Sequence, residues 1–154
     1  MRFYTINILV GAAIFFFGAN LLFGQNVSPR YHKIIPDKST QPSPVPVFED
    51  IISGIESGNV SVFANYFSKQ IYISLNSGER GYYSSNQAFY VLQNYFNIYK
   101  PIGFKVSTRL INSLTPYCAG KLIYSFKGIK ESAQVYIGLS WTNGTWEISQ
   151  ITFN

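Results

Sequence analysis

Residues 84–96 read SSNQAFYVLQNYF. Ser84 stands three places before Gln87, the spacing at which a serine and a glutamine cap the start of a helix reciprocally. Ala88, Val91, Leu92, Tyr95, Phe96 and Tyr99 then recur at intervals of three and four, which gathers them into one broad apolar stripe. Pro101 ends the run, because the residue before a proline is pushed away from helical angles. No acid, base or thiol interrupts the stretch. A helix of this kind needs a surface to bury itself against, and the flanking sequence supplies one.

Downstream, residues 103–111 (GFKVSTRLI) alternate Phe104, Val106, Thr108 and Leu110 against Lys105, Ser107 and Arg109. Residues 117–126 set Leu122, Tyr124 and Phe126 against Lys121, Ile123 and Ser125, and residues 132–141 alternate Ala133, Val135, Ile137, Leu139 and Trp141. Period two is the mark of half-buried strands. Asn143-Gly144 is a strong two-residue hairpin turn, since both positions need positive φ. That turn predicts Thr142 opposite Thr145, Trp141 opposite Trp146 and Leu139 opposite Ile148. Beyond Ile148 the phase slips to Ile151 and Phe153, so a β-bulge is predicted near Ser149-Gln150.

Upstream, Phe48, Ile51, Ile52 and Ile55 share one helical face. Gly58-Asn59 breaks that helix. Asn59 then caps a second helical piece carrying Val62, Phe63, Tyr66 and Phe67. Residues 70–76 (QIYISLN) read as a strand, 76–81 as a turn and 81–84 as a short returning strand. Helices followed by a long meander with one apolar face predict an α+β fold, with three helical pieces covering one face of a curved antiparallel sheet.

The chain has 154 residues, 47% of them hydrophobic and 12% charged, about half the usual charged share. Thirteen Phe, twelve Tyr and two Trp give ample bulk for a core, and the composition excludes disorder for most of the chain. Residues 1–24 hold Arg2 and an apolar run of 16 residues from Ile8 to Phe23, shorter than the roughly 20 that span a bilayer. This reads as a signal peptide cleaved after Gly24, with an uncleaved membrane anchor as the alternative because Leu22 is a poor fit to the site. Gln25 stands where a lipoprotein would need cysteine. Export to the periplasm, cell surface or medium is expected, with no membrane attachment after cleavage. Residues 25–46 carry five of the seven prolines and are expected to form an extended tether, leaving 47–154 as a single α+β domain. The net charge of +5 falls to +4 without Arg2 (11 − 7), and the basic residues are scattered, so no nucleic-acid partner is expected.

The order of elements resembles the nuclear-transport-factor-2-like superfamily, the ketosteroid-isomerase-like, cystatin-like cone fold. Within it, the chain is similar to a domain-of-unknown-function family, the 4783 type, of small exported bacterial proteins. The residues that carry the likeness are 48–67 (FEDIISGIESGNVSVFANYF), 82–96 (YYSSNQAFYVLQNYF), 117–126, 135–141 and the closing W-x-I-x-x-I-x-F. The resemblance implies a cone-shaped half-barrel, often with an apolar pocket and often dimeric through its sheet, and no established biochemical role.

Enzymes of this shape use an inward carboxylate or histidine as general base. Here Glu49, Asp50 and Glu56 lie on the polar side of the first helix, Glu79 and Glu131 in turns, and Glu147 between Trp146 and Ile148. None reaches a predicted inward position, and Asp50 is the best remaining candidate. His32 sits in the tether and has no metal-ligand partners, and Cys118 reads as a packed small hydrophobe. No catalytic residue, cofactor or metal is therefore expected. Two readings remain ahead of an isomerase- or dehydratase-like enzyme. In one, Tyr95, Tyr124, Trp141 and Trp146 wall a site for a small apolar or aromatic ligand, the alternative being that they fill the core. In the other, the domain is a homodimer or binds a partner. Lys105, Arg109 and Lys121 would then share the outer sheet face, with Arg109 opposite Lys121 if the hairpin closes near Thr115-Pro116. That pattern fits an acidic partner or polysaccharide, the alternative being a solvated face; Tyr117, Ile123 and Tyr136 clustering there would instead favour a dimer.

Overall fold

The computed structural model describes residues 41–154. The leader, most of the tether and His32 lie outside the described residues. Helix α1 (Val45–Ser57) starts immediately after the buried Pro44 and carries Pro46 in its first turn, where a missing N–H costs nothing. It therefore begins two residues before the expected start of the domain at 47. Phe48, Ile51 and Ile55 are fully buried, and Gly58 closes the helix in the left-handed region at φ 66°.

The second helical piece is not an α-helix. Two 3-10 turns, Val60–Val62 and Ala64–Tyr66, occupy that stretch, and the Asn59 side chain accepts from the Ser61 N–H at 3.1 Å. Val60 and Phe63 point inward at a spacing of three, the 3-10 period, and Val62 is turned to solvent.

The sheet has six strands: β1 (Phe67–Ser74), β2 (Arg80–Ser84), β3 (Lys100–Leu110), β4 (Tyr117–Phe126), β5 (Ile129–Thr142) and β6 (Thr145–Phe153). Their order is β2-β1-β6-β5-β4-β3. The expectation of a wholly antiparallel sheet is corrected at one seam, because β1 and β6 run parallel. Alternation along a strand says which face is buried and nothing about which neighbour it takes. A parallel pair needs a long crossover, here everything from β2 to β5.

The β5–β6 hairpin has the predicted register, Thr142 to Thr145, Trp141 to Trp146 and Leu139 to Ile148. Asn143 and Gly144 sit at φ 52° and 83°. Ser149 is the extra residue of the predicted bulge, since Gly138 already pairs with Gln150. Strand β3 holds two further register shifts, skipping Ile102 and Ser107. The second one reverses the expected alternation. Beyond Ser107, Arg109 pairs with Cys118, whose own neighbours Ile137 and Ile151 are fully buried, while Thr108 and Leu110 turn outward.

Helix α2 (Ser85–Ile98) lies against the inner face, with Ala88, Leu92, Tyr95 and Phe96 buried and Val91 and Tyr99 partly so. Its capping box is present: the Gln87 N–H donates to Ser84 Oγ, and the Ser84 N–H donates to Gln87 Oε1 at 3.0 Å. Ser84→Ala is expected to lower stability by about 1 kcal/mol. Urea denaturation checks this, and an unchanged midpoint would show that the cap is dispensable.

Candidate functional site

The four aromatics expected to wall one pocket divide into two pairs at opposite ends of the inner face. Tyr124 pairs across the sheet with Glu131, and Trp141 lies ten residues further along β5, about 33 Å in an extended strand.

At the first end Tyr95 is only 3% exposed. Its ring stacks on Tyr99 at 4.6 Å between centroids and meets Phe153 at 4.9 Å. The Tyr95 hydroxyl donates to Asn76 Oδ1 at 3.0 Å, Asn76 Nδ2 donates to the Tyr124 oxygen at 3.2 Å, and the Tyr124 hydroxyl donates to Glu131 Oε2 at 3.1 Å. Three hydrogen bonds thus tie α2, the β1–β2 turn, β4 and β5 together at the rim of the core. Burial, then the neighbouring Tyr124 and Tyr99, hold the Tyr95 hydroxyl well above the ordinary tyrosine range. Burial raises Tyr124 as well. Both phenols are therefore neutral donors near neutral pH.

Glu131 is not in a turn. It belongs to β5 and shares the face of Tyr124, at the exposed rim. The turn is Lys127-Gly128, at φ 52° and 81°, with Phe126 opposite Ile129. It uses the same positive-φ pair as Asn143-Gly144, and the glycine flanked by Phe126 and Ile129 was the signal for it.

At the second end, Trp141 and Trp146 meet edge to face at 5.1 Å. The Trp146 indole N–H donates to the Pro42 carbonyl at 2.7 Å and pins residues 41–44 to the sheet. Trp146 and that segment line a cleft of about 240 Å³ together with Ile111 and Ser113.

Lys105 and Lys121 are directly opposed on the outer face, in place of the expected pairing of Lys121 with Arg109. Arg109 is not with them. The bulge at Ser107 turns it inward, opposite Cys118 rather than Lys121, and its Nη1 bonds Glu49 Oε1 at 2.7 Å. That carboxylate raises the Arg109 pKa. Cys118 is a buried free thiol whose pKa is pushed up by burial, with Arg109 acting the other way. Asp50 accepts a hydrogen bond from the Tyr66 hydroxyl at 2.6 Å, which raises the Tyr66 pKa. Among the described residues no cluster of His, Cys, Asp or Glu is arranged to hold a metal ion, and no helix is long and apolar enough to cross a membrane.

The outer face carries an aromatic belt that the sequence revealed only in part. Strand pairing places Tyr82, Tyr72, Gln150, Gly138, Tyr117 and Leu110 in one row across all six strands. Tyr136 lies in the adjacent row and stacks on Tyr117 at 5.3 Å. Tyr72 and Tyr82 meet at 5.3 Å, and Tyr82 is 73% exposed. A Cβ at Gly138 would sit 3.4 Å from the Tyr136 ring, in van der Waals contact with it. Ile123 lies outward and half-buried two residues beyond Lys121.

Residues 48–154 match the sequence profile of DUF4783, a domain of unknown function. The chain belongs to the DUF4783 family. No curated protein matches it. A DUF4783 protein from Bacteroides ovatus is similar in structure, at 17% identity and a TM-score of 0.60, over 68% of this chain and 90% of that one. An uncharacterised cystatin-fold protein from Novosphingobium aromaticivorans has 11% identity and a TM-score of 0.57, over 73% and 98%. An NTF-2 like protein of unknown function from Shewanella oneidensis has 10% identity and a TM-score of 0.52, over 71% and 95%. At these identities the likeness is one of fold. This DUF4783 domain thus has the expected α+β architecture, with two helices against a six-stranded mixed sheet.

Proposed function

We propose that this DUF4783 chain is an exported, non-catalytic association domain that pairs with a second copy of itself through the outer face of its sheet. The observation that carries the reading is the tyrosine belt. Tyr72, Tyr82, Tyr117 and Tyr136 lie on one face of a six-stranded sheet, with Leu110 43% exposed at its edge. Tyrosine gives large contact area at small entropic cost and is enriched in the centres of interfaces. Five strand spacings make the belt about 24 Å long, and one side of a standard interface covers about 800 Å². Lys105 and Lys121 border the belt, where charged groups serve as a wet rim. A two-fold axis through one shared face needs no second kind of surface.

The inner aromatics favour this over a small apolar ligand in the cone. Tyr95 and Tyr124 spend their hydroxyls on Asn76 and Glu131 of their own chain. The cleft beside Trp146, at about 240 Å³, is below the roughly 300 Å³ at which ligand sites begin. The non-catalytic part of the reading is supported by the acids: Asp50, Glu49 and Glu131 are engaged by Tyr66, Arg109 and Tyr124 of their own chain. Export is supported by the leader pattern at 1–24.

The full-length chain expressed in a bacterial host tests export and pairing. Mass spectrometry of the exported product should give the mass that begins at Gln25, and a full-length mass overturns cleavage. Sedimentation should give a dimer that Tyr72→Ser with Tyr117→Ser converts to a folded monomer. A monomeric parent protein would end the pairing reading.

A further inference from the structure

Beyond the belt, the outer face of β3, β4 and β5 ends in a cluster of four lysines, of which the sequence placed only Lys105 and Lys121 together. Pairing sets Lys105, Lys121 and Gln134 in one row across the three strands. The next outward row is Gly103, Ile123 and Ser132, and the one after it is Lys100, Ser125 and Lys130. Four ammonium groups thus bracket a small apolar and hydroxyl-bearing floor. Their rows are four residues apart on β4, about 13 Å. All four lysines are exposed. None has a carboxylate partner among the described residues, where the one ion pair joins Arg109 to Glu49. Between Lys121 and Lys130 lies a shallow hollow of about 220 Å³, lined also by Ile123, Ser132 and Glu131. Glu131 is the single acid at its edge, and its carboxylate already receives the Tyr124 hydroxyl.

Like charges directly opposed across strands repel, so Lys105 facing Lys121 is a cost to the free domain. An anion laid over both relieves it. We infer that this patch is a docking site for an acidic polysaccharide, a hydroxyl-rich chain bearing carboxylate or sulfate groups. Two features choose that occupant among polyanions. The floor of the patch offers Ser125, Ser132 and Gln134 as neutral hydrogen-bonding groups beside the charges, as sugar hydroxyls require. Its three rows hold no aromatic side chain, so they offer no platform for unstacked bases. The inference does not rest on the pairing proposal: Lys105 and Lys121 border the tyrosine belt, and Lys100 and Lys130 lie farther from it.

The test measures binding of the whole chain to polygalacturonate and to heparin, with neutral dextran, single-stranded DNA and vesicles of anionic phospholipid alongside. The two acidic polysaccharides should bind, more weakly as salt rises, and dextran should not. Lys105→Gln with Lys121→Gln, or Lys100→Gln with Lys130→Gln, should each weaken binding about tenfold. Lys69→Gln with Arg80→Gln removes the same charge elsewhere and should change it by no more than about twofold. Lys105→Arg with Lys121→Arg restores the charge and should keep the affinity, which separates loss of charge from loss of fold. Equal weakening by the control pair would reduce the effect to net charge and overturn the site. Tighter, patch-dependent binding to the vesicles or the DNA would overturn the choice of occupant.

Discussion

Gly54→Val should destabilise the domain by about 3 kcal/mol, a large part of the roughly 5–15 kcal/mol that holds a domain of this size together. Gly54 is buried in the middle of α1, where glycine is ordinarily about 1 kcal/mol worse than alanine. The propensity argument therefore favours replacing it. Geometry decides the other way: a Cβ at this position would lie 2.3 Å from Phe63 Cδ1, 2.7 Å from Cε1 and 3.0 Å from the Asn59 carbonyl oxygen. The ring has little room to retreat, because Phe63 is fully buried and packs edge-on against Phe67 at 5.7 Å. The absent side chain is what lets the 3-10 turns fold back under α1. Denaturant titration of Gly54→Val, Phe63→Ala and the double variant checks this. The double variant should be more stable than the sum of the singles predicts, since contacting sites are not additive. Simple additivity, or a Gly54→Val protein as stable as its parent, would remove the clash from the account.

Tyr95→Ala should cost about 3–5 kcal/mol, and Tyr95→Phe only about 1 kcal/mol. The first change empties the space between Tyr99, Phe96 and Phe153; the second keeps the ring and drops only the bond to Asn76. The contrast separates a core ring from a wall of a binding site, for which ring removal would be mild. Alkaline pH probes the same residue. The pKa values of Tyr95, Tyr124, Tyr66 and Tyr136 are all raised in the folded state. A raised value means that the native state holds its proton longer than the unfolded chain does. The associated stability is complete below about pH 10, the unfolded tyrosine value, and is lost as pH rises beyond it. Tyr95→Phe should flatten that loss in a series of melting curves above about pH 9.5. An identical pH profile for the two proteins would contradict the part assigned to Tyr95.

The helix from Ser85 to Ile98 was legible because its cap, its stripe and its stop all agree. The last hairpin and its bulge were legible because Asn143-Gly144 fixes a register from which a slip can be counted. What escaped were the bulge at Ser107 and the Lys127-Gly128 turn. Ser107 sits among residues whose polarity fits either face, so nothing in 103–111 betrays the reversal that sends Arg109 to Glu49. Lysine is an unusual first residue for a positive-φ turn, and without that turn Glu131 cannot be matched to Tyr124. The candidate sites suffered most, because each depends on which strands are neighbours. The lysine cluster needs Lys100 and Lys130 brought beside Ser125, and the tyrosine belt needs β1 laid against β6.

That last seam has a consequence for how the molecule is made. Among the described residues β6 is an interior plank of the sheet, the one strand that joins the early β1–β2 pair to the other three. Contacts of such long sequence separation close slowly. Until the nine residues of β6 are made, the strands form two separate ladders, β1–β2 and β3–β5, and a nascent chain short of them cannot complete its sheet.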